Sequence, residues 1–166
     1  MQLNADFLKT HLDYTFWANL RVLESLREIS DDELRRNCGN SHGGIFDTLL
    51  HIFHGDRIWL SRTTSNPRVS LSDAGENLTP RTLEPAWRQV AQGWRQWASG
   101  VDDVRSLLHY RNLAGEPHSV QFWEMVFHVV NHGTYHRGQI ARLVRQSGNA
   151  PAYTDYIEAT RRGLLP

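Results

Sequence analysis

The sequence predicts an all-α protein, an antiparallel four-helix bundle with a candidate short hairpin before the last long helix. Three observations carry this reading. Apolar residues recur at three- and four-residue steps in four long stretches, Gly and Pro cluster at the few points between them, and strand-like alternation is nearly absent. At 166 residues and 40% hydrophobic, the chain suits one domain, taken as 1–166, with one apolar core. Amphipathic helices of this length bury their stripes by packing on one another.

The first helix is expected from about Asp6 to Ile29, capped by Asn4 or Asp6. Leu8, Leu12, Thr15, Asn19, Val22 and Leu26 share one of its faces. Phe16, Trp17 and Leu20 lie off that face, which suggests cover on a second side by another subunit. Ser30-Asp31-Asp32 reads as a polar turn, followed by a Gly/Asn/Ser/His segment over Gly39–Gly44. A second helix is expected at about Ile45–Arg62, with Ile45, Leu49, Ile52, Phe53 and Leu60 clustered on one side. Thr63 to Pro80, rich in Ser, Thr, Asn and Pro, reads as a surface loop. The third helix, about Leu83–Ser99, has Thr82 or Thr79 to cap it and Gly100 to end it. Its Trp87, Val90, Ala91, Trp94 and Ala98 form a stripe of helical period. Leu107 to Val120 resembles a hairpin with Gly115 near its turn. The fourth long helix spans about Gln121–Gln146 and stops at Gly148, and a short helix around Thr154–Arg161 follows.

Composition narrows the function. Lys plus Arg and Asp plus Glu each total 18, so the net charge is zero. No nucleic acid is expected as partner, because affinity for phosphates rests on a basic surface. No membrane is expected either, since no apolar run approaches the ~20 residues that span a bilayer. The opening residues lack the basic and apolar regions of a signal peptide, so the expected address is cytoplasmic. Cys38 is the one cysteine, which removes thiol-rich zinc clusters and intrachain disulfides.

Nine histidines remain to be explained. His132 and His136, four apart, fall one turn above the other on the fourth helix. They share the stripe of Phe122, Met125, Val129, Ile140 and Leu143, so both imidazoles are expected to point into the bundle. Two buried neutral imidazoles need a shared partner, and a metal ion is one. Two ligands make a weak site, so a third is sought among His51, His54, His11, His128 and the loop residues His42, His109 and His118. His128 continues the ladder but drifts out of reach, and reads as a flanking residue. Periodicity does not separate His51 from His54, because His51 shares its side with Thr48, Gly55, Ile58 and Arg62, away from the strongest apolar face.

The chain resembles the DinB-like (DinB/YfiT) family of bacterial proteins, a family read as metalloenzymes. The resemblance runs through Tyr14-Thr15-Phe16-Trp17-Ala18-Asn19, Leu49-Leu50-His51-Ile52, Asp56-Arg57-Ile58-Trp59-Leu60 and Tyr110-Arg111-Asn112 to Gly115-Glu116-Pro117. It is most specific in Val130-Asn131-His132-Gly133-Thr134-Tyr135-His136-Arg137-Gly138-Gln139-Ile140, and Thr154-Asp155-Tyr156-Ile157 also fits. The resemblance implies a four-helix bundle with a three-His site, carried here by His51, His132 and His136. The His51 side of the second helix would then face the site, with Gly55 allowing close approach.

Three imidazoles with no fourth protein ligand leave room for substrate, the arrangement of a catalytic metal. The ligand type suits a divalent transition metal, zinc or nickel foremost and iron next. Gly133 and Gly138 read as sites of tight helix contact. Arg137 reads either as an orienter of anionic substrate or as a solvated flank residue. Asp56 reads either as a partner to a ligand imidazole or as a surface carboxylate. The resemblance further implies a small-molecule substrate, a low-molecular-weight thiol among the candidates, and transfer of that thiol to an electrophile. It also implies a homodimer, with Trp17 and Trp59 at its interface. Hydrolysis and a non-enzymatic metal-binding stress-response module are the alternatives, and the His-Glu-x-x-His pattern of metalloproteases is missing.

Overall fold

The structure is a computed structural model describing residues 3–39, 41–64 and 78–165. Helix α1 spans Ala5–Ser25, with the Asn4 side chain accepting the Phe7 N–H at 3.0 Å as its cap. It ends earlier than the periodicity suggests, although Leu26 and Ile29 still bury in the core. The reason is a new helix start. The Ser30 hydroxyl accepts the Glu33 N–H at 3.3 Å and opens α2, Asp31–Arg35, whose first turn carries three acids at its positive end. The expected polar turn is therefore a short helix.

Helix α3 runs Ile45–Thr63. The expected loop from Thr63 to Pro80 falls mostly on residues 65–77, outside the described residues. Helix α4, Pro80–Ser99, begins three residues earlier than expected, because Thr79 caps it and Pro80 occupies its first position. The hairpin is present: β1 (Leu107–Arg111) pairs antiparallel with β2 (Pro117–Gln121), Leu108 opposite Val120. Gly115 takes φ +83° at its turn, a conformation open to glycine at little cost. Helix α5 covers Phe122–Gln146, and α6 covers Tyr156–Arg161, starting two residues later than expected.

Helices α1, α3, α4 and α5 form the bundle, with α1 and α3 each packed against both α4 and α5. Cross-links give the directions. Arg27 pairs with Glu84 and Arg95 with Asp13, so α1 and α4 are antiparallel. His51 meets His136 and Trp59 meets His128, so α3 and α5 are antiparallel too. In contrast, Phe53 meets Trp87 and Leu60 abuts Gly93, so the neighbours α3 and α4 run the same way. Two antiparallel pairs thus stack side by side. No described helix is long and apolar enough to cross a membrane.

Phe16 is buried in the chain's own core, and Leu20, partly buried, packs against it. Trp17 lies against a smaller cluster of Tyr14, Ala18 and Ala159, where α6 closes over α1. Trp59 is likewise engaged within the chain, edge-on to Tyr110 and under the Arg62 guanidinium. Both tryptophans, each half-buried, thus pack against residues of their own chain.

The core contains one polar network that touches all four long helices. Asp56 of α3 is 1% exposed, and its carboxylate accepts Trp87 Nε1–H at 2.8 Å and Asn19 Nδ2–H at 3.3 Å. Its backbone carbonyl accepts Trp94 Nε1–H at 3.1 Å. Asn19 Oδ1 accepts from Arg137 Nη1 at 2.8 Å, and the same nitrogen donates to Thr15 Oγ1 at 3.1 Å. Burial pushes the Asp56 carboxyl up to about 7, against the opposing pull of the Trp87 hydrogen bond and the Arg137 charge. Asp56 is accordingly neither a surface carboxylate nor a partner to a ligand imidazole, and Arg137, also buried, is neither a solvated flank nor free to orient substrate.

A buried guanidinium that loses a partner keeps its desolvation cost. Asn19→Ala is therefore expected to lower stability by about 3 kcal/mol in urea unfolding. A change within about 0.5 kcal/mol, the range of ordinary surface substitutions, would show that the network does not hold the bundle.

Candidate metal centre

The site is built by α3, α5 and the turn before α3. His51 sits in the second turn of α3, and His132 and His136 lie one turn apart on α5. The three ring centroids form a nearly equilateral triangle, with sides of 4.8 Å (His51–His132), 4.5 Å (His51–His136) and 4.5 Å (His132–His136). His51 Nε2 and His132 Nε2 approach to 2.9 Å, a separation that two imidazoles bound to one ion at about 2.1 Å each can adopt. The structure thus brings together the three histidines that the family resemblance implies.

It also adds His42, which sequence reasoning left among the loop candidates. The His42 ring stacks on His51 at 3.8 Å and meets His136 edge-on at 5.1 Å. Donor nitrogens of His42, His51 and His136 all lie within 4.8 Å of one another, the one such group among the described residues. No periodicity marks a loop residue, so the signal available was only its place in a Gly-rich segment preceding α3.

Local packing explains how the rings meet. A Cβ on Gly55 would lie 3.0 Å from His132 Cε1 and 3.3 Å from its Nδ1, so the absence of a side chain lets that ring lie against α3 without having to give way. The expectation for Gly55 holds in this form. A Cβ on Gly133 would lie 2.8 Å from Arg137 Nη1 and 3.1 Å from Thr15 Oγ1, which keeps this position open for the buried guanidinium. Gly138 differs: it is exposed and nothing stands within 4 Å of where a Cβ would be, so it marks no tight contact. His136 Nδ1 lies 2.9 Å from Gln139 Oε1, and donation to that oxygen leaves Nε2 as the lone-pair nitrogen.

The remaining histidines stand apart. His11 Nδ1 bonds the Phe7 carbonyl at 2.8 Å, His109 bonds Ser119, and His118 lies by Asn112 on the hairpin. His54 packs on Phe53, and its Nδ1 has no hydrogen-bond partner among the described residues. His128 flanks the site, stacked on His132 at 5.9 Å and edge-on to Trp59.

Electrostatics keep the rings neutral. Burial, reinforced by the neighbouring imidazoles, lowers His51 to about 4 and His132 to about 3. His136 is lowered as well, by burial first, against the opposing hydrogen bond to Gln139. Neutral imidazoles packed side by side offer lone pairs without a positive charge to repel a cation, so imidazole donors here suit a transition-metal ion. His132 stands outside the group whose nitrogens all lie within 4.8 Å of one another.

Known proteins agree with this architecture. The crystal structure of a DinB-like protein from Bacillus cereus ATCC 10987 superposes with a TM-score of 0.66 at 19% identity, covering 86% of this chain and 91% of that one. Protein DinB of Bacillus subtilis (strain 168) is 27% identical over 162 residues, 92% of each chain. The profile of the DinB family matches residues 1–162, nearly the whole length, and the chain belongs to the DinB family.

Proposed function

We propose that this protein is a divalent-metal protein of the thiol-dependent transferase type, with zinc or nickel held by His51, His132 and His136. The observation that supports this most is the packing of three imidazole rings from two helices within 4.8 Å of one another, centre to centre. A divalent ion bound there would supply Lewis acidity, lowering the pKa of a coordinated thiol or water. The protein's own residues set the terms of that chemistry. Gln139 fixes the tautomer of His136, and Gly55 seats the His132 ring against α3. Cys38 bonds the Arg36 carbonyl through its Sγ and is no member of the imidazole cluster, so this reading takes the reacting thiol from a small-molecule substrate. Hydrolysis is less well supported, because both acids of α3 are engaged elsewhere: Asp47 accepts the Gly44 N–H at the helix start, and Asp56 is held by Trp87 and Asn19. A non-enzymatic metal-binding module is the second reading, favoured by the stacking of His42 over His51.

Untagged protein is expected to retain one divalent ion per chain by elemental analysis. His51→Ala and His132→Ala should each weaken retention at least tenfold while keeping the helical circular dichroism. Chelation should abolish conjugation of a cellular thiol to an electrophile, and zinc or nickel should restore it. A metal-loaded wild type that conjugates no electrophile with any cellular thiol would leave the binding module in place of the transferase.

Protons compete with the ion only where the ligands protonate, and lowered pKa values move that competition to lower pH. Affinity should therefore stay nearly flat as pH falls from 7.5 to about 5, and drop as pH approaches 4. Chelator competition measures this, and a decline already beginning near pH 6.5, as for ordinary imidazoles, would contradict it.

The homodimer belongs to the same proposal. Phe127 and Tyr135, 58% and 64% exposed on α5, offer apolar surface for a second copy. Light scattering at micromolar concentration is expected to give twice the chain mass, and a monomer mass removes the idea.

A further inference from the structure

His42 has no part in the three-histidine reading, yet it lies closer to His51 than either of the α5 histidines does. We infer that His42 is a fourth ligand to the same ion, brought in from the turn before α3 and exchangeable with an incoming substrate. The inference rests on the reading of His51, His132 and His136 as a metal centre.

The turn is built to deliver this ring. The Cys38 N–H bonds the Gly43 carbonyl at 3.1 Å. Gly43 takes φ +88°, in the left-handed region that side chains rarely adopt. Gly44 then caps α3 in a slot where a Cβ would lie 2.7 Å from the Arg36 carbonyl and 3.0 Å from that of Leu34. The two glycines let the backbone turn sharply against α2 and enter α3 seven residues before His51. His42 is left half-buried, and its ring contacts among the described residues are both with site imidazoles. A donor nitrogen of His42 lies within 4.8 Å of one on His51 and one on His136, close enough for the three to share an ion.

The location of the ligand sets its behaviour. His51, His132 and His136 stand on long helices, whereas His42 precedes α3 and belongs to no helix. With His42 as a ligand, four imidazoles would be available to hold the ion. An incoming thiolate would take the place of His42, whose imidazole would leave the ion as a neutral ring, with no covalent bond of the chain made or broken. Resting enzyme and substrate-bound enzyme would then differ in one imidazole.

Cobalt(II) is the probe, added to the full-length wild type and to His42→Ala. Wild type is expected to show the intense visible absorption of a four-coordinate ion. His42→Ala should bind cobalt about tenfold or more weakly, with weaker bands, at unchanged helical circular dichroism. Millimolar free imidazole should restore the wild-type spectrum to His42→Ala and leave wild type unaltered. Cobalt bound by His42→Ala with the affinity and spectrum of wild type overturns the inference while the three-histidine centre stands. A wild type that binds no cobalt, zinc or nickel overturns the centre and the inference together.

Discussion

A single buried relay of polar atoms determines where everything else in this molecule can stand. Arg137 on α5 reaches Asn19 on α1, Asn19 reaches Asp56 on α3, and Asp56 holds the indole of Trp87 on α4. Each of the four long helices gives one member. Unpaired, any of these groups would carry the full cost of leaving water, so the bundle is stable only in the arrangement that pairs them all. The histidines inherit that precision: Arg137 follows His136 directly, and Asp56 lies five residues beyond His51. Fixing the network fixes the spacing of α3 and α5, and hence the size of the triangle of imidazoles between them.

The same logic accounts for the glycines. Gly55 and Gly133 sit on facing elements, and each leaves room for one ring or one guanidinium that a methyl group would displace. Small residues at these two points let a polar group lie flush against a helix backbone. Their cost in helix propensity, about 1 kcal/mol each relative to Ala, is offset by the contacts they permit. Gly138, with open space beside it, has no such compensation in the structure.

Much of the architecture was legible from apolar spacing. The stripes on α4 and α5, the caps at Asn4 and Thr79, and the hairpin around Gly115 follow from local rules that act within a few residues. Directions of packing were not legible, because α3 and α4 become parallel neighbours through contacts distant in sequence. Polar residues on apolar stripes were misread for a related reason. Asn19 and Thr15 were recognised as lying on the buried face of α1, but their partners Arg137 and Asp56 come from other helices, and no spacing rule spans that distance. His51 lies off the main apolar face of its helix, so only the family resemblance singled it out. His42 lies in a turn with no period at all, and its proximity to the other imidazoles emerges only in three dimensions.

The contact between His132 and Gly55 has a consequence for how the site could diversify. Because the ring rests on bare peptide, a methyl group at position 55 would act as a wedge, tilting one imidazole while leaving every donor in place. The meeting point of the lone pairs would move, and with it the ionic radius that the cluster accommodates best. Selectivity among metals could in this way be retuned from a position that never touches the cation.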